Sequence, residues 1–296
     1  MLGVFGLLVG SFLNVVIYRW PVMSDRGWWR EMAETLDDAP TWQRVLGGAR
    51  PAAYDKLGVE IDAALTQLGP LTLSRPRSRC GACGHQLRWY ENIPLASWAA
   101  LRARCSACKS PISLRYPLVE LATGLLFAGV AWHFGPHPAT LAWCAVMAAL
   151  VALAMIDQDT GYLPDALTQP LLWGGLIAAT LGLTVPWQTA LWGAVVGYMS
   201  LWLLSNFYHL VRGVPGMGNG DFKLLAGLCA WLGWQALLPI VLMASVVGVA
   251  VNVPLLLRKD LGIKIPFGPF LIGGGLVVIF AGADTVLAWI GVSLPG

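Results

Sequence analysis

Eight apolar stretches constrain the fold of this chain more than any other feature of its sequence. A run of about 20 apolar residues with few charges is long enough to cross a bilayer as an α-helix. Only 12% of the 296 residues are charged, whereas soluble domains typically have about 25%. We therefore predict an all-α polytopic membrane protein with about eight transmembrane helices in a lipid bilayer. The predicted spans are 1–18, 117–134, 139–156, 166–183, 187–210, 222–234, 236–257 and 268–290.

The charges are concentrated in one polar segment between the first two spans. Residues 19–116 contain 14 of the 19 Lys and Arg residues and 9 of the 16 Asp and Glu residues. Basic residues near span ends mark the cytoplasmic side, and Arg19 and Arg115 stand at these positions. The opposite loops contain no Lys, Arg, Asp or Glu, and both termini are expected to face outward. The predicted cytoplasmic loops are 19–116, 157–165, 211–221 and 258–267, which include Arg212, Arg258, Lys259 and Lys264.

Composition divides the chain into four parts. Residues 1–18 are the first transmembrane helix, and 19–71 are a cytoplasmic insertion of unknown role. The insertion contains "DKLGVEIDAALTQLG", whose periodicity predicts a short amphipathic helix. Residues 72–116 form a cysteine-containing subdomain, and 117–296 form a seven-helix transmembrane core.

Four of the six cysteines form two C-x2-C pairs in the polar segment. Cys80 and Cys83 lie in "CGACG", and Cys105 and Cys108 lie in "CSACK". Two such pairs at this spacing predict a tetrahedral four-thiolate zinc site. Four protein ligands leave no open position on the metal, so the zinc is expected to be structural and to hold a small ribbon together. Two disulfides are the alternative, which a reducing cytosol disfavours.

Two acidic residues stand where predicted spans meet the cytoplasm. Asp157 ends an uncharged run and opens "DQDTGYLPD", and Asp221 follows three glycines in "GMGNGD". Ionisable groups in or near spans indicate function. Because both are predicted at the same membrane edge, they can approach each other, and two close carboxylates share one proton. Such a pair can activate water against a peptide carbonyl.

The neighbouring acids have simpler interpretations. Asp165 follows a proline and precedes an apolar run, as a helix-capping or first-turn acid does. Asp159 is typical of a turn residue in "DQDTG". Capping is also the alternative for Asp221 considered alone.

Several segments together resemble the type IV prepilin leader peptidases, the GxGD membrane aspartyl proteases. "GSFLNVVIYRWP" resembles their first span, residues 74–124 resemble their cysteine ribbon, and "IDQDTGYLPD" and "GMGNGDFKLLAGLCAWLG" resemble their two catalytic segments. In that family the first catalytic aspartate lies eight residues before the Asp of the Leu-Pro-Asp segment. The resemblance therefore implies Asp157 and Asp221 as the catalytic pair and the four loop cysteines as zinc ligands.

The resemblance also implies substrates and a second reaction. Members remove the short basic leader of prepilins and pseudopilins at the cytoplasmic face of the bacterial inner membrane. Most then methylate the new N-terminus with S-adenosylmethionine. Ala103 in "LRARC" stands where the family usually has a glycine tied to methyl transfer. A peptidase without methyl transfer is therefore the alternative function.

Two other classes of protein account for part of the pattern. Acids near helix breaks also occur in ion-coupled transporters, whose sites lie at the membrane midplane. A zinc-binding membrane adaptor would explain the cysteines but leaves the paired aspartates unexplained. No feature of the sequence indicates a nucleic-acid partner.

Overall fold

The computed structural model describes residues 1–48, 54, 56–214, 216–257, 265–289 and 291, without the side chains of 253–257. The described chain is mainly α-helical, as predicted. The predicted loop residues Arg258, Lys259 and Lys264 lie outside the described residues. The helices are α1 (Leu2–Asp37), α2 (Ala39–Leu46), α3 (Leu57–Gln67), α4 (Ala96–Ala100), α5 (Arg115–Phe134), α6 (Pro138–Thr160), α7 (Asp165–Thr180), α8 (Trp187–Arg212), α9 (Asn219–Leu232), α10 (Leu237–Leu257), α11 (Gly268–Ala281) and α12 (Ala283–Trp289).

Among the described residues, five stretches of helix are long and apolar enough to cross a membrane: α1, α5, α6, α8 and the segment Trp234–Asn252 that includes most of α10. The predicted eighth span, 268–290, is not one straight helix. It breaks at Gly282 into α11 and α12, which are bent by 107°. The predicted fourth and sixth spans are α7 and α9, with 16 and 14 residues. At 1.5 Å per residue these two helices measure roughly 24 and 21 Å, less than the hydrocarbon thickness of about 30 Å.

The chain forms two compact units, one of residues 1–13 and 118–296 and the other of 14–117.

Helix α9 lies at the centre of the first unit, in contact with α7, α8 and α11. Every residue of α9 from Leu224 to Trp231 is buried, because this segment is apolar on all sides. Trp231 satisfies its ring N–H by donating to the carbonyl of Leu171 on α7 over 2.8 Å.

Two glycines let α8 approach α9 closely. A Cβ placed on Gly193 would meet the carbonyl oxygen of Cys229, and one on Gly197 would lie 3.1 Å from the Leu225 carbonyl oxygen. Small residues one turn apart are a common means of bringing membrane helices into backbone contact. The position of α9 is therefore set by α8 through direct backbone packing.

The first helix is longer than the span predicted at 1–18. Helix α1 continues to Asp37 and includes Pro21 in its interior. Within the second unit, this extension supports the rest of the insertion. Arg19 donates to the Thr72 carbonyl over 2.8 Å, and Arg26 donates to that of Gly69 over 3.1 Å.

Candidate functional site

Asp157 lies in the last turn of α6, with its carboxyl group buried. The helix ends at Gly161, whose left-handed backbone (φ 63°) lets its N–H donate to the Asp157 carbonyl over 2.8 Å. The Asp157 side chain is 4% exposed, and its Oδ2 accepts a hydrogen bond from the N–H of Gly268 over 3.0 Å. The helix end and this bond hold the carboxyl group in one place.

Asp221 lies in the first turn of α9. The glycine segment "GMGNG" leads into this helix, and the N–H of Asp221 donates to the carbonyl of Gly218, the N-cap residue. The Asp221 side chain is half-buried, and it interacts electrostatically with Asp157. The structure therefore brings together the two acids that the sequence paired.

Leu163 lies between the start of α9, which carries Asp221, and the start of α11, which contacts Asp157. It is buried, and a Cβ placed on Gly220 would lie 2.8 Å from its Cβ. A Cβ placed on Gly268 would lie 3.4 Å from its Cδ1. The starts of α9 and α11 thus both pack on Leu163, in the segment between α6 and α7, and their glycines allow this close approach.

The two neighbouring acids are placed differently from the pair. Asp159 is exposed at the end of α6. Asp165 is the first residue of α7, as a first-turn acid, and both of its carboxylate oxygens accept from Lys223. Pro164 is the N-cap residue of α7, so Asp165 is not the cap itself.

Gly268 is a residue of this site that the sequence analysis missed. It has no ionisable or thiol side chain that would mark it in the sequence, and it contributes only its backbone N–H. The sequence signal is "PFGPF", a glycine between prolines at the start of an apolar run.

A cavity of about 250 Å³ adjoins the Asp221 segment. Asn219 and Phe222, on either side of Asp221 in the sequence, line it together with Trp202 and His209 of α8. The Asp221 segment therefore borders an open space with aromatic and polar walls.

The four loop cysteines form one cluster. The sulfur atoms of Cys80, Cys83, Cys105 and Cys108 all lie within 4.8 Å of one another. Zinc bound tetrahedrally at about 2.3 Å requires sulfur separations of roughly 3.8 Å, and the sulfurs of Cys80 and Cys108 are 3.9 Å apart. The donors fit a four-thiolate zinc site, and all six cysteines of the chain are free thiols.

Both C-x2-C pairs have the same backbone construction. In the first, the N–H of Gly84 donates to the Cys80 carbonyl, and in the second that of Lys109 donates to the Cys105 carbonyl. A single β-bridge closes each pair, Arg79 with Gln86 and Arg104 with Pro111. The ribbon therefore consists of two matched knuckles without an extended sheet.

The thiols of the cluster differ in acidity. The backbone N–H of Cys83, followed by the Ser110 hydroxyl, donates to the sulfur of Cys80 and lowers the pKa of Cys80 to about 6. The pKa of Cys83 rises to about 11. The N–H of His85 lowers this pKa, but hydrogen bonding with Cys108 and desolvation together raise it by more. Hydrogen bonding with Ser110 also lowers the pKa of Cys108. Individual thiolates are thus favoured, whereas four adjacent thiolates need a cation between them.

A polar network accompanies the first knuckle. The backbone N–H of Arg88 donates to Glu91 over 2.7 Å and is the main reason that the pKa of Glu91 falls to about 2. His85 lies 3.3 Å from the same carboxylate and from the Ser106 hydroxyl. His85 is thus hydrogen-bonded beside the cluster, and four sulfurs are enough for a tetrahedral metal site without it.

Ala103 adopts a backbone conformation that favours glycine. Its φ is 58°, and Arg102 before it has φ 50°. Two backbone bonds hold it there: its N–H donates to the Trp98 carbonyl, and its own carbonyl accepts from Ile112. The position that distinguishes this chain from the usual "LRGRC" is therefore a strained one.

The fold and site define a multi-pass helical membrane protein with two interacting carboxylic acids and a four-cysteine cluster. The model of the bacterial peptidase A24 N-terminal domain matches residues 4–134, and that of the type IV leader peptidase family matches 144–253. This chain belongs to the type IV leader peptidase family, and it is an enzyme of the peptidase class.

The similar curated proteins carry the name prepilin leader peptidase/N-methyltransferase. The protein of Stutzerimonas stutzeri is 46% identical over 97% of this chain and 92% of its own length. That of Burkholderia pseudomallei is 45% identical over 96% and 85%, and that of Pseudomonas putida is 45% identical over 95% and 90%. No solved structure matches the chain.

Proposed function

We propose that this protein removes the basic leader of type IV prepilins and pseudopilins, with Asp157 and Asp221 as the catalytic pair. The observation that carries the proposal is that these two acids interact electrostatically, with Gly220, next to Asp221, packed on Leu163, six residues after Asp157. The name of the relatives, prepilin leader peptidase/N-methyltransferase, supports the choice of substrate. Family membership favours a peptidase over an ion-coupled transporter or an adaptor.

Two adjacent carboxyl groups in a poorly hydrated site are most stable with one shared proton. One group, as the carboxylate, removes a proton from water, whose oxygen attacks the scissile carbonyl carbon. The other, as the acid, hydrogen-bonds the carbonyl oxygen and a proton then passes to the leaving amine. Both acids must be present, because neither can perform both transfers at once.

The substrate enters from the membrane in this proposal. Its apolar helix docks among the spans, while its basic leader stays in the cytosol. The cavity between α8 and the Asp221 segment supplies space next to one member of the pair. In the same proposal, the chain crosses the bacterial inner membrane eight times, and its catalytic site faces the cytoplasm. The distribution of basic residues across the loops supports this orientation.

The second proposed reaction is methylation of the new N-terminus, with S-adenosylmethionine as the methyl-donating substrate. The N-methyltransferase in the relatives' name supports it. Peptidase activity alone is the alternative, which the strained Ala103 favours. We assign no residues to the methyl donor.

The cysteine cluster is proposed to hold a structural zinc ion. Cys80, Cys83, Cys105 and Cys108 would be its four ligands, which leaves no position for substrate or water. Zinc would cross-link the two knuckles of a segment that contains few buried apolar side chains.

The test is cleavage of a purified prepilin by the purified protein, followed as a mobility shift on a gel. Asp157→Asn and Asp221→Asn should each reduce cleavage by about 10²-fold or more, with unchanged elution and thermal unfolding in detergent. Asp159→Asn is the matched control, because it removes an exposed acid two residues from Asp157. Full cleavage by either member of the pair as an Asn variant would refute the assignment.

The same incubation with labelled S-adenosylmethionine tests the second reaction. Label on the mature pilin supports methyl transfer, whereas cleavage without label supports the peptidase alone.

A further inference from the structure

Helix α11 begins against one member of the aspartate pair. The N–H of Gly268, its first residue, donates to Oδ2 of Asp157 in a buried bond of 3.0 Å. Within the described part of the chain, no backbone or side-chain donor is placed on the Asp221 carboxyl group in this way. The two acids therefore sit in different environments.

This difference affects which acid carries the charge. A hydrogen bond from an N–H is stronger to a carboxylate than to a neutral carboxyl group, and the N-terminus of α11 adds its positive end. Asp221 also lies at a helix N-terminus, that of α9, so the helix ends alone do not separate the pair. The Gly268 bond does separate them, because only Asp157 receives it.

We propose that Gly268 is a positioning residue that makes Asp157 the general base and leaves the shared proton on Asp221, the general acid. This inference rests on the proposed peptidase function and divides the two roles that the function requires. Gly268 acts through Asp157, since its N–H stabilises the carboxylate that removes the proton from water.

A side chain at position 268 would occupy the place of the Asp157 carboxyl group. A Cβ on residue 268 would lie 2.6 Å from Oδ2 and 3.1 Å from Cγ of Asp157, with Leu163 Cδ1 at 3.4 Å on another side. Any larger residue must displace the carboxyl group and break the bond. Gly273, on the same helix, has no atom within 4 Å of an added Cβ, so it provides a matched control.

The charged surroundings of Asp157 are simple in the described residues. Helix α11 has no titratable side chain. Lys223 is paired with Asp165, and Glu120 lies against Gly10 of α1. Asp221 is therefore the group whose protonation most affects that of Asp157, because the two acids interact electrostatically. The other titratable residues on α6 and on the helices around it are Asp221, Lys223 and Cys229 on α9, Asp165 on α7, Arg115, Tyr116, Glu120 and His133 on α5, and Cys144 and Asp159 on α6 itself.

The pH profile of kcat distinguishes the two possible assignments. The active enzyme holds one proton on the pair, so the acid limb reports loss of the first proton and the alkaline limb loss of the second. If Asp157 is the carboxylate of the active form, weakening its hydrogen bond raises the pKa for loss of the first proton. The pKa for loss of the second proton stays unchanged, because Asp157 is ionised both before and after that step. If Asp221 is that carboxylate, the same change moves the alkaline limb alone.

We expect Gly268→Ala to shift the acid limb upward by about one pH unit while the alkaline limb stays in place. Gly273→Ala should leave both limbs unchanged. Replacing the Gly268 amide by an ester, through glycolic acid incorporated at that position in cell-free synthesis, removes the N–H and adds no side chain. This second variant keeps the test valid if the alanine variant does not fold.

Movement of the alkaline limb instead, or of neither limb, overturns the inference. The peptidase function itself is judged separately. If Asp157→Asn or Asp221→Asn still cleaves fully, the function fails; if both are inactive and the wrong limb moves, only the division of roles fails.

Discussion

Lys223 on α9 donates to both carboxylate oxygens of Asp165 on α7, over 2.6 and 2.8 Å. The pair joins the first turns of the two helices, two residues beyond Asp221. Its side chains remain accessible, with 25% of Lys223 and 58% of Asp165 exposed. An exposed ion pair contributes little to stability, because water already solvates both charges.

Asp165→Asn should therefore lower the free energy of unfolding by less than about 1 kcal/mol and change cleavage by less than roughly threefold. Thermal unfolding in detergent and the prepilin cleavage assay measure the two effects. Lys223→Met should give a similar small loss, and the double variant should lose less than the sum because the pair is shared. If Asp165→Asn is as inactive as Asp157→Asn, Asp165 belongs to the reacting groups and our assignment of the pair is wrong.

The cysteine cluster predicts one zinc ion per chain. Cys80→Ser or Cys105→Ser should abolish stoichiometric zinc, measured by elemental analysis of the purified protein, and make residues 72–116 more susceptible to proteolysis. The reason is that a serine hydroxyl does not replace a thiolate on zinc, and the two knuckles depend on the cross-link.

Cys144→Ala is the control for these variants. Cys144 is a buried thiol in α6, which belongs to the other compact unit. This variant should keep full zinc content. Wild-type protein with no zinc and with its four loop cysteines oxidised would contradict both the metal site and the cytoplasmic placement of the segment.

The backbone strain at Ala103 predicts that a glycine there is stabilising. A left-handed conformation costs a non-glycine residue about 1–2 kcal/mol, and glycine offsets part of this gain through its greater freedom when unfolded. Ala103→Gly should therefore stabilise the ribbon by roughly 0.5–1 kcal/mol. Slower zinc release to a chelator measures the effect.

Ala99→Gly provides the opposite case. Ala99 is exposed and helical in α4, so glycine there should speed zinc release. If Ala103→Gly also raises the ratio of methyl transfer to cleavage, Ala103 limits the second reaction as the alternative function requires. Equal effects of the two substitutions on zinc release would show that the conformation of Ala103 is not strained in solution.

The sequence predicted the helical class and the pairing of Asp157 with Asp221, because charges are conspicuous in apolar runs. It could not predict Gly268, which contributes a backbone N–H that no hydropathy or charge pattern records. The break at Gly282 was missed for a related reason: an isolated glycine in an apolar run gives no sign of a 107° bend. The ion pair of Asp165 with Lys223 joins residues far apart in the sequence, and only the packing of α7 on α9 reveals it.

The contact between α8 and α9 predicts that the Asp221 helix cannot tolerate a side chain at Gly193. An added Cβ would meet the Cys229 carbonyl in the middle of the buried helix. Either α8 or α9 must move, and overpacking of this kind costs about 1–3 kcal/mol. Gly193→Ala should lower thermal stability in detergent and reduce kcat more than it raises KM, because α9 carries Asp221.

Gly273→Ala is again the matched control, since it adds the same methyl group where there is open space. It should retain wild-type stability and cleavage. A Gly193→Ala variant with unchanged stability would show that α8 and α9 do not pack backbone to backbone. One with lower stability but normal kcat would show that Asp221 keeps its position independently of this contact.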